Sequence, residues 1–167
     1  SDVLVVDISV GGENSFILTD SGKIKCWGNG DSGQLGYGDI NDRGDGLNEM
    51  GDYLSYVNVG NGLTSQSLHL GRYHSCVILN DDSMKCWGYN TNGQLGQGNI
   101  NHLGDGPNEM GDYLSPINFP SGVVIDKIGG GWYHNGIISS TGTLYLWGYN
   151  FSGQLGLGHQ NNIGDGL

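Results

Sequence analysis

The sequence predicts an all-β fold of about three stacked, blade-like units. Three observations carry the prediction: a strict repeat, strand-like apolar runs between glycine turns, and a composition unlike that of fibrous or disordered chains. The repeat has a period of 60 and no gap. Trp27, Trp87 and Trp147 obey it, as do Gly33, Gly93 and Gly153, then Gln34, Gln94 and Gln154, then Leu35, Leu95 and Leu155. The stretch GDGLNEMGDYLSYVN (44–58) returns as GDGPNEMGDYLSPIN (104–118), identical at 12 of 15 positions. The copies are residues 1–60, 61–120 and 121–167, the last incomplete. A single β-rich unit of this size cannot bury both its faces, whereas stacked copies can. Sixty-residue units point to propeller blades rather than to thin solenoid coils.

Within each copy the elements follow in order. The β-branched run VLVVDISV (3–10) predicts an opening strand, with VVIDKI (123–128) as its counterpart. SFILTDSGKIKCWG (15–28) predicts a hairpin around Asp20-Ser21-Gly22, a type I turn closed by a left-handed glycine. Copy three has Ser140-Thr141-Gly142 there; copy two has Asn80-Asp81-Asp82, and aspartate tolerates the left-handed conformation. The Gly-Gln-Leu-Gly-x-Gly string at 33–38, 93–98 and 153–158 predicts a tight reversal. Residues 39–56 read as a long loop in which Asn-Glu-Met-Gly-Asp-Tyr-Leu can form one helical turn. Each copy therefore predicts three or four short strands.

Composition narrows the class further. Thirty-three glycines without an every-third-residue pattern exclude collagen, and the even spread of apolar residues excludes a disordered tract. Seventeen acids face six bases, for a net charge of −11, and no two basic residues are adjacent. That balance offers no footprint for a phosphate backbone and discourages anionic membranes. No segment approaches a membrane span and no signal peptide is visible; the opening Ser1 predicts a processed or partial chain.

Gly-x-x-His-Ser-Cys-Val-Ile-Leu (71–79), followed by Lys-Cys-Trp-Gly-Tyr-Asn-x-x-Gly-Gln-Leu-Gly-x-Gly (85–98), strongly resembles repeats of the regulator of chromosome condensation family. The resemblance covers nearly the whole chain. It implies β-propeller blades of four antiparallel strands, usually seven around an axis, so that three make an incomplete ring. It also implies a rigid ring whose loops bind proteins. Members include exchange factors for a small nuclear GTPase that also bind nucleosomes, ubiquitin-ligase modules and secreted enzyme inhibitors. Copy one departs from the pattern, with Asn29-Gly30 in place of Tyr-Asn and Glu13-Asn14 in place of Tyr-His. The Asp-Gly-x-Asn-Glu-Met insertion lengthens the repeat, and no exchange-factor surface matches residue by residue.

The hairpin register places Cys76 opposite Cys86, at Cα spacing compatible with a disulfide. A bridge implies an extracellular or luminal site; two packed thiols in a reducing cytoplasm are the alternative. Cys26, opposite Phe16, is then an unpaired thiol. Asn150 begins the sequon Asn-Phe-Ser, a candidate glycosylation site, or an unmodified turn residue. His74 and His134 recur once per copy, which argues a hydrogen-bonded structural role over catalysis. The other histidines have no ligand spacing, and the loop 38–46 lacks an oxygen ligand where Arg43 stands, so no metal is expected. No phosphate loop or catalytic triad is present, and no cofactor is expected. Tyr53, Tyr73, Tyr113 and Tyr133 are expected to pack between blades.

These features predict a non-enzymatic, protein-binding propeller segment. The alternative is a structural module that self-assembles into an extracellular oligomer or filament, and a guanine-nucleotide exchange factor is a third reading. The missing blades are expected from a continuing chain or from other subunits, with no nucleic-acid partner and no membrane insertion.

Overall fold

The computed structural model describes residues 3–166. The outermost residues of the first and third copies, 1, 2 and 167, lie outside the described residues. Three antiparallel three-stranded sheets succeed one another along the chain: β1 (Val5–Val10), β2 (Asn14–Thr19) and β3 (Ile24–Gly28); β4 (Ser65–Leu70), β5 (His74–Leu79) and β6 (Met84–Gly88); β7 (Ile125–Gly130), β8 (His134–Ser139) and β9 (Leu144–Gly148). Each sheet runs in chain order, and β1, β4 and β7 lie side by side where the blades converge. The fourth position of each blade is reduced. In blade one it consists of the Gly28–Arg43 bridge and a bond from Val57 N to the Ile24 carbonyl; Gly88–Leu103 and Ile117 to Met84 repeat this in blade two. A fourth strand fails to extend because its residues are drawn into the long glycine-rich loop. Between those contacts Gly51–Tyr53 and Gly111–Tyr113 form single 3-10 turns.

The hairpins follow their turn chemistry. Phe16 faces Cys26, and Cys76 faces Cys86, the second pair closed as a disulfide with Cα atoms 4.1 Å apart. Gly22, Asp82 and Gly142 hold φ of 73°, 64° and 81° at the third turn position, the left-handed geometry that lets a three-residue loop close without splaying the strands.

Period-two alternation gives every blade two apolar faces. One face of blade one (Phe16, Leu18, Ile24) packs on the opposite face of blade two (Leu68, Val77, Leu79, Trp87). The corresponding face of blade two (Cys76, Met84, Cys86) packs on Ile137 and Trp147 of blade three. The two outward faces carry the same pattern in the open. Ile8 is 62% exposed where its blade-two equivalent Leu68 is 8%, and Leu144 is 59% exposed where Met84 is fully buried. The blades fill this face with different pairs: Phe16/Cys26, the Cys76–Cys86 disulfide, and Gly136/Leu146. In the third, a β-carbon on Gly136 would come within 2.5 Å of Leu146.

Candidate functional site

Two places carry interaction chemistry: the joints between blades and one end of the blade stack. The joint is built from the repeated string. The indole Nε1 of Trp87 donates to the Gln34 carbonyl (3.1 Å), and that of Trp147 to the Gln94 carbonyl (2.9 Å). Ser75 Oγ and Asn135 Nδ2 donate to the same two carbonyls at 2.8 Å. Each blade thus offers a main-chain acceptor at its glycine turn, and the next blade supplies an indole and a second donor. Gly33 and Gly93 (both φ 74°) sit against the backbones of Asp105 and Asp165, where a β-carbon would approach to 2.3 and 2.4 Å. Gly153 has the same φ, 73°, and nothing within 4 Å. Among the described residues, the half-buried Trp27 and the carbonyl of Gln154 are the ends of the same latch without a mate. Leu35, Leu95 and Leu155 are buried beneath the turns, and the Gln34, Gln94 and Gln154 side chains each accept the backbone N–H two residues earlier.

Local pins keep the loops in place. Asn90 and Asn150 are fully buried. Each accepts the N–H of the motif leucine and spends both amide hydrogens on loop carbonyls, Asn99 and Asn101 or His159 and Asn161. Glu109 accepts the N–H groups of Gly104 and Gly106, and Glu49 those of Gly44, Asp45 and Gly46. Those backbone bonds hold the Glu49 carboxyl below its ordinary pKa, whereas burial pushes the Glu109 carboxyl above it. Sequence reading missed the joint acceptors because they are main-chain atoms. The Gly-Asp-Gly-x-Asn-Glu repeat was the available signal for the glutamate pin.

His74 is fully buried with Nε2 3.0 Å from Asn135 Oδ1 of the next blade; burial pushes it down to about 4. Gly71 makes room, since a β-carbon there would meet the imidazole at 2.0 Å. Gly131 leaves the same space for His134. Cys26 is a buried free thiol, its acidity suppressed by desolvation. In the loop 38–46, Asp39 is taken up by Arg43 at 2.8 Å.

At the end of the blades formed by the β1–β2 type turns and the exits of the third strands, Tyr73, Tyr89 and Tyr133 form a triangle. All three centroid separations are 6.2 Å. The aromatic surface continues through Tyr149 to Phe151 and to Trp132; the last two are each 64% exposed. Arg72 lies 4.8 Å from the Tyr73 centroid and 4.9 Å from that of Trp132, with Glu13 at 3.7 Å. Glu13, Asn29, Asp31 and Ser32 join the tyrosine triangle around a cleft of about 280 Å³. Tyr73 and Tyr133 meet across a blade boundary as expected, but Tyr53 and Tyr113 do not. Their 3-10 turns hold both rings on the exterior, which corrects the packing expectation.

Radially arranged antiparallel sheets with latched faces define a segment of a β-propeller. Solved structures agree: human WBSCR16 superposes with a TM-score of 0.75 at 20% identity over 99% of this chain and 41% of that one. Yeast RCC1 (Prp20), solved bound to Kap60, gives 0.68 at 19% identity over 96% and 36%. The repeat model of the regulator of chromosome condensation (RCC1) family matches residues 5–34 and 68–94, so those two stretches are similar to that family's repeats. The human probable E3 ubiquitin-protein ligase HERC6 is 30% identical over 96% of the chain, and the Arabidopsis thaliana ultraviolet-B receptor UVR8 is 30% identical over 93%. The chain spans 14% and 31% of those two proteins. No helix among the described residues is long and apolar enough to cross a membrane.

Proposed function

We propose that the chain is a non-enzymatic protein-binding scaffold whose 60-residue copies act as successive blades. The observation that carries this reading is the aromatic end surface. Exposed Trp132 and Phe151 and the tyrosine triangle are large, rigid groups mounted on latched blades, the kind of side chain that anchors protein interfaces. Yeast RCC1 was solved with Kap60, and a second structure of Prp20p concerns its binding to Gsp1p and histones, which supports protein contact as the business of such blades. A photoreactive side chain placed at Phe151 should crosslink a partner protein in extracts of the source cells, and one at Asp82, on the opposite end, should not. Equal yields from both positions would refute the assignment. Nucleotide exchange stands last, because no residue constellation here supports it.

A second reading rests on a separate observation, the unmated latch. Self-assembly would seat Trp27 of one copy on the Gln154 carbonyl of another and cover Ile8 and Leu144. Size-exclusion chromatography across a concentration series, with Leu144→Glu as the disrupted form, distinguishes assembly from a monomeric scaffold. The Cys76–Cys86 bridge supports an oxidising, extracellular or luminal setting. A two-dalton mass increase on reduction of protein isolated from its source would bear this out.

A further inference from the structure

We infer that the cleft over Tyr73, Tyr89 and Tyr133 receives an arginine side chain from a basic segment of the partner protein, an inference that rests on the scaffold reading above. The cleft combines two attractions for a cation. Three half-buried tyrosines turn ring surface towards it, and the carboxylates of Glu13 and Asp31 stand on its rim. Asp31 accepts one hydrogen bond from Asn29 and, among the described residues, pairs with no cation. Glu13 touches Arg72 only at 3.7 Å.

Arg72 supplies an internal precedent for the ligand. Its guanidinium lies on Tyr73 and Trp132 beside Glu13, so this end of the molecule already holds one such group by ring faces and a carboxylate. A planar guanidinium stacks on an aromatic face while its edge bonds a carboxylate, a combination that a compact ammonium matches poorly. The ring spacing favours the same choice. The three rings are tilted by 42–59° to one another with centroids 6.2 Å apart, so no two faces oppose each other as a cage round an ammonium, while a flat group lies across one face. The net charge of −11 draws a basic segment towards the chain and makes binding sensitive to salt.

The test is a titration at low ionic strength, followed through tyrosine ring resonances. A short capped glycine–arginine peptide is compared with its lysine and citrulline counterparts. The arginine peptide should shift the rings of Tyr73, Tyr89 and Tyr133. The Glu13→Gln, Asp31→Asn double variant, altered only at exposed positions, should bind it about three- to tenfold more weakly with its far-ultraviolet spectrum unchanged. Lysine and citrulline peptides should both bind more weakly than arginine. No shift with the arginine peptide, equal binding by citrulline, equal binding by lysine, or an unaltered double variant would each overturn the proposal. The crosslinking at Phe151 is independent of this cleft chemistry: failure of the peptide with success of the crosslink rejects the arginine cleft and keeps the scaffold.

Discussion

His74 shows how one side chain couples folding to pH. Buried against Asn135, it stays neutral down to about 4, while the unfolded chain takes up a proton near the ordinary 6.5. Between those values the unfolded state binds the extra proton, so stability is full above about pH 6.5 and declines as the pH falls towards 4. The loss attributable to His74 is on the order of 3 kcal/mol. Denaturant melts from pH 7.5 to 4 should show that decline, and His74→Asn, the blade-one solution at Asn14, should shrink it. His69 and His134 are lowered by burial too and keep part of it. Asn150 carries a second residue-scale prediction. Its amide is fully spent inside the fold, so it should carry no glycan, and Asn150→Ala should cost about 1–3 kcal/mol by leaving two loop carbonyls and an N–H unpaired. Intact mass and urea melts read the two outcomes.

At the scale of strands and turns, the hairpins are legible in the sequence itself. Alternation set the faces, and Asp-Ser-Gly set the loop length, so the pairing of Cys76 with Cys86 followed from counting. Reduction should therefore lower stability by about 2–3 kcal/mol, seen as an earlier denaturation midpoint. The fourth strand and the exposure of Tyr53 and Tyr113 were not legible, because long glycine-rich loops hold no period that ties side chains to a face. The tyrosine triangle was half legible: Tyr73 and Tyr133 share a repeat position, but Tyr89 joins them only once the blades fan out. The joint escaped for a different reason. Gln34 and Gln94 act there through their carbonyls, which every residue possesses. Trp87→Phe should cost about 0.5–1.5 kcal/mol, since it strips one of the two donors from a buried carbonyl that Ser75 Oγ still serves, while Trp27→Phe should cost under about 0.5. Gly33→Ala should likewise exceed Gly153→Ala by about 1 kcal/mol or more, the backbone strain being common to both and the collision only to the first. Matched melts of the four variants check both contrasts.

For the whole molecule, charge and exposure govern behaviour. Two ion pairs occur among the described residues, so most of the acidic surface is left unneutralised. Added salt should lessen self-repulsion and, at the same time, weaken any basic partner. The open apolar faces act in the opposite sense, since screening charge lets them approach. Leu144→Glu should accordingly reduce any salt-promoted association, which light scattering in low and high salt would register.

The indole-to-carbonyl latch bears on how such a chain could grow. Donor and acceptor lie in neighbouring copies, so the segment inherited as a unit and the segment that holds together as a unit are offset by part of a period. A tandem duplication of 60 residues therefore arrives with a plug at one end and a socket at the other, already matched to whatever flanks it. The array can lengthen or shorten by whole copies without inventing an interface, and the packed face beside the latch changes its filling from Phe16 to Cys76 between copies while the latch itself stays the same.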